Sequence, residues 1–480
     1  MHTLIPAPLS FRSEAGQFTL RPATSIHAPD DLRSLADYLA AHLRAITGWP
    51  FPFRADQTNA IRLELSGQDS TLGDEGYRLE VRQDGVRLTA ARPAGLFYAI
   101  QTLRQLLPPA PSPESWTIDA CTILDVPRFP WRGAMLDVAR HFFTVEQVRR
   151  LIDQIALYKF NILHLHLTDD QGWRLEIKSW PKLAEVGGSS ATRGDPGGYY
   201  TQEEYAEIVR YAAERFITLV PEIDMPSHTQ AALAACPELK GVSKYTGLYT
   251  GTEVGFCSLN IHQAITYRFI EDVFGELADL TPGPYLHIGG DEAHSTPEAD
   301  YRAFIERAQQ IVRQTGKQIV AWEEAAKGPL LTDSLVQYWL QADLARRAAA
   351  SGNRLIMSPA TQVYLDIKYN ASTSLGQDWT QKYIEVQDAY DWNPAAMLEG
   401  VNESSILGVE APLWTETILT VEEADFMFFP RLCAVAEVGW TPQESRAWED
   451  FRHRLATHGP RLEALGVHFY RSPQIPWHKS

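Results

Sequence analysis

Apolar and polar residues keep two different rhythms along this chain, and the rhythm changes near residue 122. Before that point, Asp31 to Thr47 carries apolar residues at helical spacing (Leu32, Leu35, Leu39, Leu43, Ile46) and stops at Gly48. Ala60 to Leu65 and Tyr77 to Ala91 alternate with the two-residue period of strands, and Asp84-Gly85 supplies a hairpin turn. Ala94 to Leu107 reads as a second helix, ended by Pro108-Pro109. The proline-rich stretch from Pro108 to Pro113 reads as the start of a linker. Residues 1–122 are therefore expected to form a small α+β domain, an antiparallel sheet with helices on one face.

From Trp131 onward, short apolar strands alternate with helices. Eight strands are expected: Gly133–Val138, Ile162–Leu167, Ile217–Ile223, Tyr285–Ile288, Gln318–Trp322, Leu335–Leu340, Arg354–Met357 and Ile406–Val409. Thr144 with Gln147, and Thr201 with Glu204, fit capping boxes ahead of amphipathic helices. Thr296-Pro297 reads as a cap followed by a first-turn proline. The last two units are the least regular, because loops dominate from Ser358 to Ser405. Eight alternating units predict an α/β fold in which a (β/α)8 TIM barrel over residues 123–480 follows the smaller α+β domain.

Barrels of this kind carry their chemistry at the C-terminal ends of the strands. Here those ends bear Asp137 and Arg140; His166, Asp169 and Asp170; Glu222, Asp224 and His228; Asp291 and Glu292; Trp322 and Glu323; Trp339; Tyr364 and Asp366; Trp414 and Glu416. Trp322, Trp339 and Trp414 at one end of a barrel suit a sugar, whose C–H faces pack on aromatic rings while its hydroxyls reach carboxylates and arginine. The most informative run is His287-Ile288-Gly289-Gly290-Asp291-Glu292. Adjacent carboxylates in a confined site resist joint ionisation, which suits a protonated acid beside an ionised orienting group, as cleavage of a glycosidic bond requires. Side chains of neighbouring strand residues face opposite ways, so Asp291 and Glu292 can share a target only if Gly289-Gly290 breaks the strand. A solvated acidic cap is the plainer reading of the same residues. His164 and His166 point the same way on a strand and, with His228, His287 and an aspartate, could form a zinc or two-metal site. His164, however, lies well before the strand end and is expected inside the barrel, so no metal is predicted.

Length and charge narrow the partners. A chain of 480 residues exceeds one small core and fits two domains. With 43 basic against 60 acidic residues the net charge is -17, which disfavours nucleic acid and anionic membrane surfaces. No secretory signal or membrane-length apolar run is visible, so a soluble, cytoplasmic protein is expected as numbered, or a secreted or periplasmic one if a signal was removed. Cys121, Cys236, Cys257 and Cys433 lack zinc-type clustering; Cys236 and Cys257 could close a loop in an oxidising compartment or remain buried thiols. Either a monomer or a homodimer is compatible with this composition.

Taken together, Asp137-Val138-Ala139-Arg140, the run His164 to Arg174, Pro221 to His228 and His287 to Glu292 resemble family 20 glycoside hydrolases, the β-N-acetylhexosaminidases. The resemblance covers almost the whole chain, residues 1–122 as the non-catalytic α+β domain and 123–480 as the catalytic barrel. It implies an exo-acting enzyme that removes terminal non-reducing β-linked GlcNAc, with GalNAc a second candidate, from oligosaccharides such as chitooligosaccharides or from glycoconjugates. It implies no cofactor. The expected mechanism is retaining and substrate-assisted, through an oxazolinium intermediate. Under that resemblance Glu292 is the general acid/base, Asp291 holds the 2-acetamido group, and Tyr364 hydrogen-bonds the acetamido oxygen. Asp169 and His228 tune the acid, with Asp224 a further member. Arg140, Asp366 and Glu416 grip the outer hydroxyls, and Trp392 resembles the platform for the next sugar. Two alternatives remain: a disaccharide-releasing enzyme of the lacto-N-biosidase type, and a non-catalytic sugar-binding homologue. The Gly/Ser-rich loop from Gly187 to Tyr200 is expected to be able to move.

Overall fold

The computed structural model describes residues 2–54, 59–67, 70–108 and 116–477, and the chain segregates into two compact units. The first gathers residues 1–130, 156–159 and 436–480. Its sheet contains β1 (Ser10–Leu20), β2 (Ser25–His27), β3 (Ala60–Leu65), β4 (Tyr77–Arg82), β5 (Gly85–Ala90) and β6 (Trp116–Asp125), in the order β1-β6-β4-β5-β3-β2. The expected antiparallel pairing holds from β1 through β5, and β3 and β2 extend the sheet in parallel on the β5 side. In β4 the alternation is literal: Tyr77, Leu79 and Val81 are buried while Arg78, Glu80 and Arg82 face outward. Arg82 pairs with Gly85, so Gln83-Asp84 is the two-residue hairpin loop. The helices Arg33–Thr47 and Pro93–Leu106 appear as expected, and Gly48 closes the first with a left-handed φ of 71°. The linker expected from Pro108 to Pro113 lies, beyond Pro108, outside the described residues.

The boundary expected between 122 and 123 falls inside β6, and the chain's last segment joins the first unit. Hydrogen bonds tie that segment to the start of the chain: Ala7 N–H donates to Glu437 Oε2 at 2.9 Å. Arg454, on the helix Trp448–Ala464, directs its guanidinium at both carboxylate oxygens of Glu437 at 2.8 and 2.6 Å and also donates to Leu4 O at 2.7 Å. The bidentate pair is local, but the bonds to Leu4 and Ala7 join the two ends of the chain, which periodicity does not reveal.

The second unit, residues 131–155 and 160–435, is a closed parallel barrel. Its strands are β7 (Trp131–Asp137), β8 (Ile162–His166), β9 (Thr218–Glu222), β12 (Tyr285–His287), β13 (Gln318–Trp322), β14 (Leu335–Tyr338), β15 (Arg354–Met357) and β16 (Ile406–Leu413); β10 (Lys240–Ser243) and β11 (Cys257–Leu259) form a separate antiparallel ribbon. All eight expected barrel strands are present. Trp131, Ile162, Val220, Val320, Leu335, Ile356 and Leu407 form one apolar cluster with Tyr285 packed against it, so every barrel strand contributes to the plug. Two residues further along their strands, His164, Glu222, Trp322 and Gln337 are also buried, giving a polar layer above the apolar one. Gly133 makes room for that layer, since a Cβ there would meet Glu410 Oε2 at 2.4 Å.

Both capping boxes form, around Thr144 with Gln147 and Thr201 with Glu204. Thr296 is not a cap: Pro297 precedes the helix Glu298–Arg313, and the Thr296 hydroxyl bonds Ser258 Oγ at 2.8 Å. All four cysteines are free thiols, and Cys257 Sγ donates to Asp170 Oδ1 at 3.0 Å. Among the described residues, no helix is long and apolar enough to cross a membrane.

Gly408 tests the packing of the barrel wall, because a Cβ there would lie 1.8 Å from the carbonyl oxygen of Trp131. Gly408→Ala is expected to cost about 1–3 kcal/mol or more through overpacking, read as a lowered thermal midpoint by circular dichroism.

Candidate active site

The catalytic candidates begin where β12 gives out. Gly289 and Gly290 take φ of 66° and 107°, and Glu292 itself sits at 45°, a left-handed conformation unusual for a residue with a side chain. Gly289 cannot be replaced cheaply, since a Cβ would lie 1.7 Å from Asp224 Oδ1. This departure lets Asp291 and Glu292 line the same cavity, of about 440 Å³, with Arg140, His228, Tyr364 and Asp366. That volume is in the range of small-ligand pockets.

Trp339, Trp414 and Tyr364 form the aromatic wall. Tyr364 stacks on Trp339 at 6.0 Å between centroids with 10° between planes, and lies 6.1 Å from Trp414. Two acids hold Trp339: its backbone N–H donates to Glu323 Oε2 at 2.8 Å and its Nε1 to Glu324 Oε2 at 3.1 Å. Trp322 does not line the cavity. The strand is still regular at that residue, so the ring points into the barrel, where Nε1 donates to Glu222 Oε1 at 2.8 Å and the ring lies 5.9 Å from Trp414.

Trp392 is a second correction. It is only 7 % exposed, with Nε1 donating to Ala389 O, and it is not part of the cavity wall. Trp379 occupies the rim instead, 46 % exposed and edge-on to both Trp339 and Tyr364. Its signal in the sequence was an aromatic residue alone in the polar run Gly376-Gln377-Asp378-Trp379-Thr380-Gln381-Lys382, with no apolar partner at strand or helix spacing. Thr252, Val254 and Leu340 also reach the cavity and were not anticipated.

The deepest polar group is Arg140. It meets Asp169 at 2.8 Å, Asp137 at 3.2 Å and Gln171 Oε1 at 3.1 Å, with its guanidinium 5.1 Å from the Trp414 ring. Burial opposes its charge, yet the surrounding carboxylates hold its pKa above the ordinary value. Beside it, both oxygens of Asp366 and Oε2 of Glu416 are buried without a hydrogen-bond partner among the described residues. Burial and their mutual proximity push Asp366 up, and burial pushes Glu416 up against the pull of Arg140. Buried acceptors of this kind suit the hydroxyl groups of a ligand.

Behind Glu292 stands His228. Its Nδ1 bonds Asp169 Oδ1 at 3.1 Å, while Nε2 lies 3.3 Å from Glu292 Oε2 and 3.7 Å from Asp291 Oδ2. Although burial disfavours its charge, Asp169 and Asp291 raise the His228 pKa well above the ordinary value. Burial would raise Glu292, but the contact with His228 wins and its pKa falls. Asp291 moves the other way, raised well above the ordinary value by burial and by the Asp224 charge. The two neighbouring carboxyls are thus pushed in opposite directions, Asp291 up and Glu292 down. Asp224 belongs to the Asp291 side: its Oδ1 accepts the Gly290 N–H at 3.0 Å, and burial raises its pKa as well. Burial keeps Tyr364 protonated and able to donate.

Two buried guanidinium groups hold the surrounding backbone. Arg174 donates to the carbonyls of Val138 and Ala139, just before Arg140, and to those of Gly188, Ser190 and Gly198. The loop from Gly187 to Tyr200, expected to be able to move, is thus pinned at several carbonyls. Arg431 donates to Leu365 O and Ile367 O, both at 2.6 Å, fixing the segment that carries Tyr364 and Asp366.

Groups such as His166–Asp169–Asp224 and Asp224–His228–Asp291 bring possible metal-binding atoms within 4.8 Å of one another. In them the imidazoles face carboxylates, which raise their pKa values; in a further group, His164–Glu222–His287, burial lowers His287.

Residues 129–443 match glycosyl hydrolase family 20, catalytic domain, and residues 1–126 match glycosyl hydrolase family 20, domain 2. A beta-N-acetylhexosaminidase of Cellulomonas fimi is 42% identical over 99% of this chain and 97% of its own length. The structure of the GH20 beta-N-acetylhexosaminidase of Streptomyces coelicolor A3(2) superposes with a TM-score of 0.95 at 49% identity, covering 99% of both chains. A mutant Streptomyces plicatus beta-hexosaminidase in complex with its product GlcNAc superposes with a TM-score of 0.95 at 50% identity, covering 99% of this chain and 98% of that one. A double glycine that turns two carboxylates into an aromatic-walled cavity is thus set in a two-domain chain matched along nearly its whole length, and that chain belongs to glycosyl hydrolase family 20.

Proposed function

We propose that this protein is an exo-acting β-N-acetylhexosaminidase, hydrolysing terminal non-reducing β-linked GlcNAc, with GalNAc a second substrate, from oligosaccharides or glycoconjugates. The observation that carries the reading is the placement of Glu292 against His228 while Asp291 faces the same cavity as Tyr364. Glu292 protonates the departing glycosidic oxygen, then takes a proton from water in the second step. Asp291 and Tyr364 orient the substrate's 2-acetamido group so that its carbonyl oxygen attacks the anomeric carbon, giving an oxazolinium ion and overall retention. Positive charge developing on that nitrogen draws Asp291 into its anionic form, and displacement of water from around Glu292 favours its protonated form. Arg140, Asp366 and Glu416, which line the cavity and offer it charged groups for hydroxyls, support binding of a chain end rather than an internal sugar.

Three outcomes are expected. Glu292→Gln should lower kcat by roughly 10²–10⁴-fold on a glycoside with a poor leaving group while still binding GlcNAc in calorimetry; retention of most activity would remove the acid/base role. Hydrolysis of aryl β-GlcNAc but not aryl lacto-N-bioside is expected, and the opposite result would establish disaccharide release. One proton must be shared correctly by the two neighbouring carboxyls. Both are protonated below the depressed pKa of Glu292, and both are ionised above the raised pKa of Asp291. The profile of kcat/KM should accordingly be bell-shaped, with its acid limb below the ordinary glutamate value and its alkaline limb above the ordinary aspartate value, the two limbs belonging to the pair. A rate climbing steadily into alkaline solution would contradict this.

A further inference from the structure

Three imidazoles in the second unit each lie between two carboxylates, and together they make an unbroken row. Glu410 accepts from Trp131 Nε1 at 2.9 Å and faces His164 Nδ1 at 2.8 Å. On its other side His164 Nε2 lies 3.0 Å from Glu222 Oε2, which is 2.5 Å from His166 Nδ1. His166 Nε2 then meets Asp169 Oδ2 at 2.8 Å, and Asp169 leads through His228 to Glu292. A neutral imidazole has one N–H, so a ring with an acceptor at each nitrogen satisfies both only as the cation. That holds for His166, which is bonded at both nitrogens and so places a positive charge between Glu222 and Asp169; along the alternation, Nε2 of His164 and of His228 lie near Glu222 and Glu292 without a hydrogen bond, and the neighbouring carboxylates raise both rings.

We propose that His166 is a positioning residue for the acid/base, which with Glu222, His164 and Glu410 holds Asp169 ionised and in line so that His228 remains cationic against Glu292. The proposal rests on Glu292 being the proton donor. Without the cation at residue 166, Glu222 and Asp169 would stand as buried anions with one counter-charge fewer between them. A proton taken up by Asp169 relieves that repulsion but releases His228, and Glu292 loses the cation that sets its acidity.

The groups facing the row are consistent with this role. Arg140 shares Asp169 Oδ2 with His166, and the Trp414 ring closes the side of His166 at 4.9 Å. Asp224 lies in the same cluster as His166 and Asp169, and Asp170 Oδ2 is 3.8 Å from His228. Glu222 Oε1 accepts from Trp322 Nε1 at 2.8 Å and lies 3.1 Å from His287 Nδ1, which accepts from Gly289 N–H. Gln337 donates to Glu410 at 2.8 Å. Glu292 is acted on by His228, His294 and Arg140, with Asp291 and Glu324 the nearby acids. The two inner histidines are raised to about 9 and about 10 by these carboxylates, against burial, in keeping with the alternation.

His166→Gln keeps a donor but removes the charge. The readout is kcat/KM on two β-GlcNAc glycosides, a 2,4-dinitrophenyl one whose leaving group needs little protonation and a methyl one that needs it fully. The expected result is a loss about 10-fold larger on the methyl glycoside, together with a shift of both limbs of the pH profile to higher pH, since removing a positive charge raises every nearby pKa. His164→Gln, one carboxylate further from Glu292, should show the same pattern more weakly, and it decides the matter if His166→Gln does not fold. Equal losses on both glycosides with unmoved limbs would overturn the proposal, because a purely structural role has no reason to sense the leaving group. Glu292→Gln serves as the reference: if it too is blind to the leaving group, the assignment of Glu292 fails rather than that of the row.

Discussion

A carboxylate sealed inside a barrel must be answered by partners, and Glu222 organises the polar interior of this one. His164, His166, His287 and Trp322 all direct ring nitrogens at it. Ionic partners in a low-dielectric interior hold only where the geometry is good on every side, since the loss of one leaves another charge uncompensated. Beneath that layer lies the apolar cluster from Trp131 to Leu407. The same demand turns Trp322 inward to serve Glu222 rather than outward to a sugar.

Above that layer, the break in β12 decides how the chemistry is arranged. Gly289 lies so close to Asp224 that no side chain fits, and this closeness brings Asp224 and Asp291 into one buried neighbourhood. Burial raises both carboxyls there and the Asp224 charge raises Asp291 further, while contact with His228 lowers Glu292. Environments that push neighbouring acids apart in pKa are the physical basis for giving them different tasks.

The rest of the second unit keeps those groups in place. Arg174 and Arg431 satisfy backbone carbonyls that would otherwise be buried without donors, and each sits immediately behind a segment that carries cavity residues. Glu323 and Glu324 do the same for Trp339, through its backbone and its indole. The aromatic wall is thereby set by hydrogen bonds at its back rather than by stacking alone.

Much of this was legible in one dimension. The eight barrel strands, the helices of the first unit and both capping boxes follow from periodicity and local hydrogen-bonding chemistry, which act between neighbours in sequence. The polar residues at the strand ends were legible too, because a fold that puts its chemistry at one rim tells the reader where to look. Other features needed the folded chain. Trp322 and Trp392 turned away from the cavity while Trp379 reached its rim, since a ring's direction depends on packing against distant segments. The chain's last segment joined the first unit, where Arg454 bonds Leu4 and Glu437 bonds Ala7. The sequence alone determined which groups could do chemistry; only tertiary structure decided where the proton rests, because a pKa is set by charges brought together from separate strands.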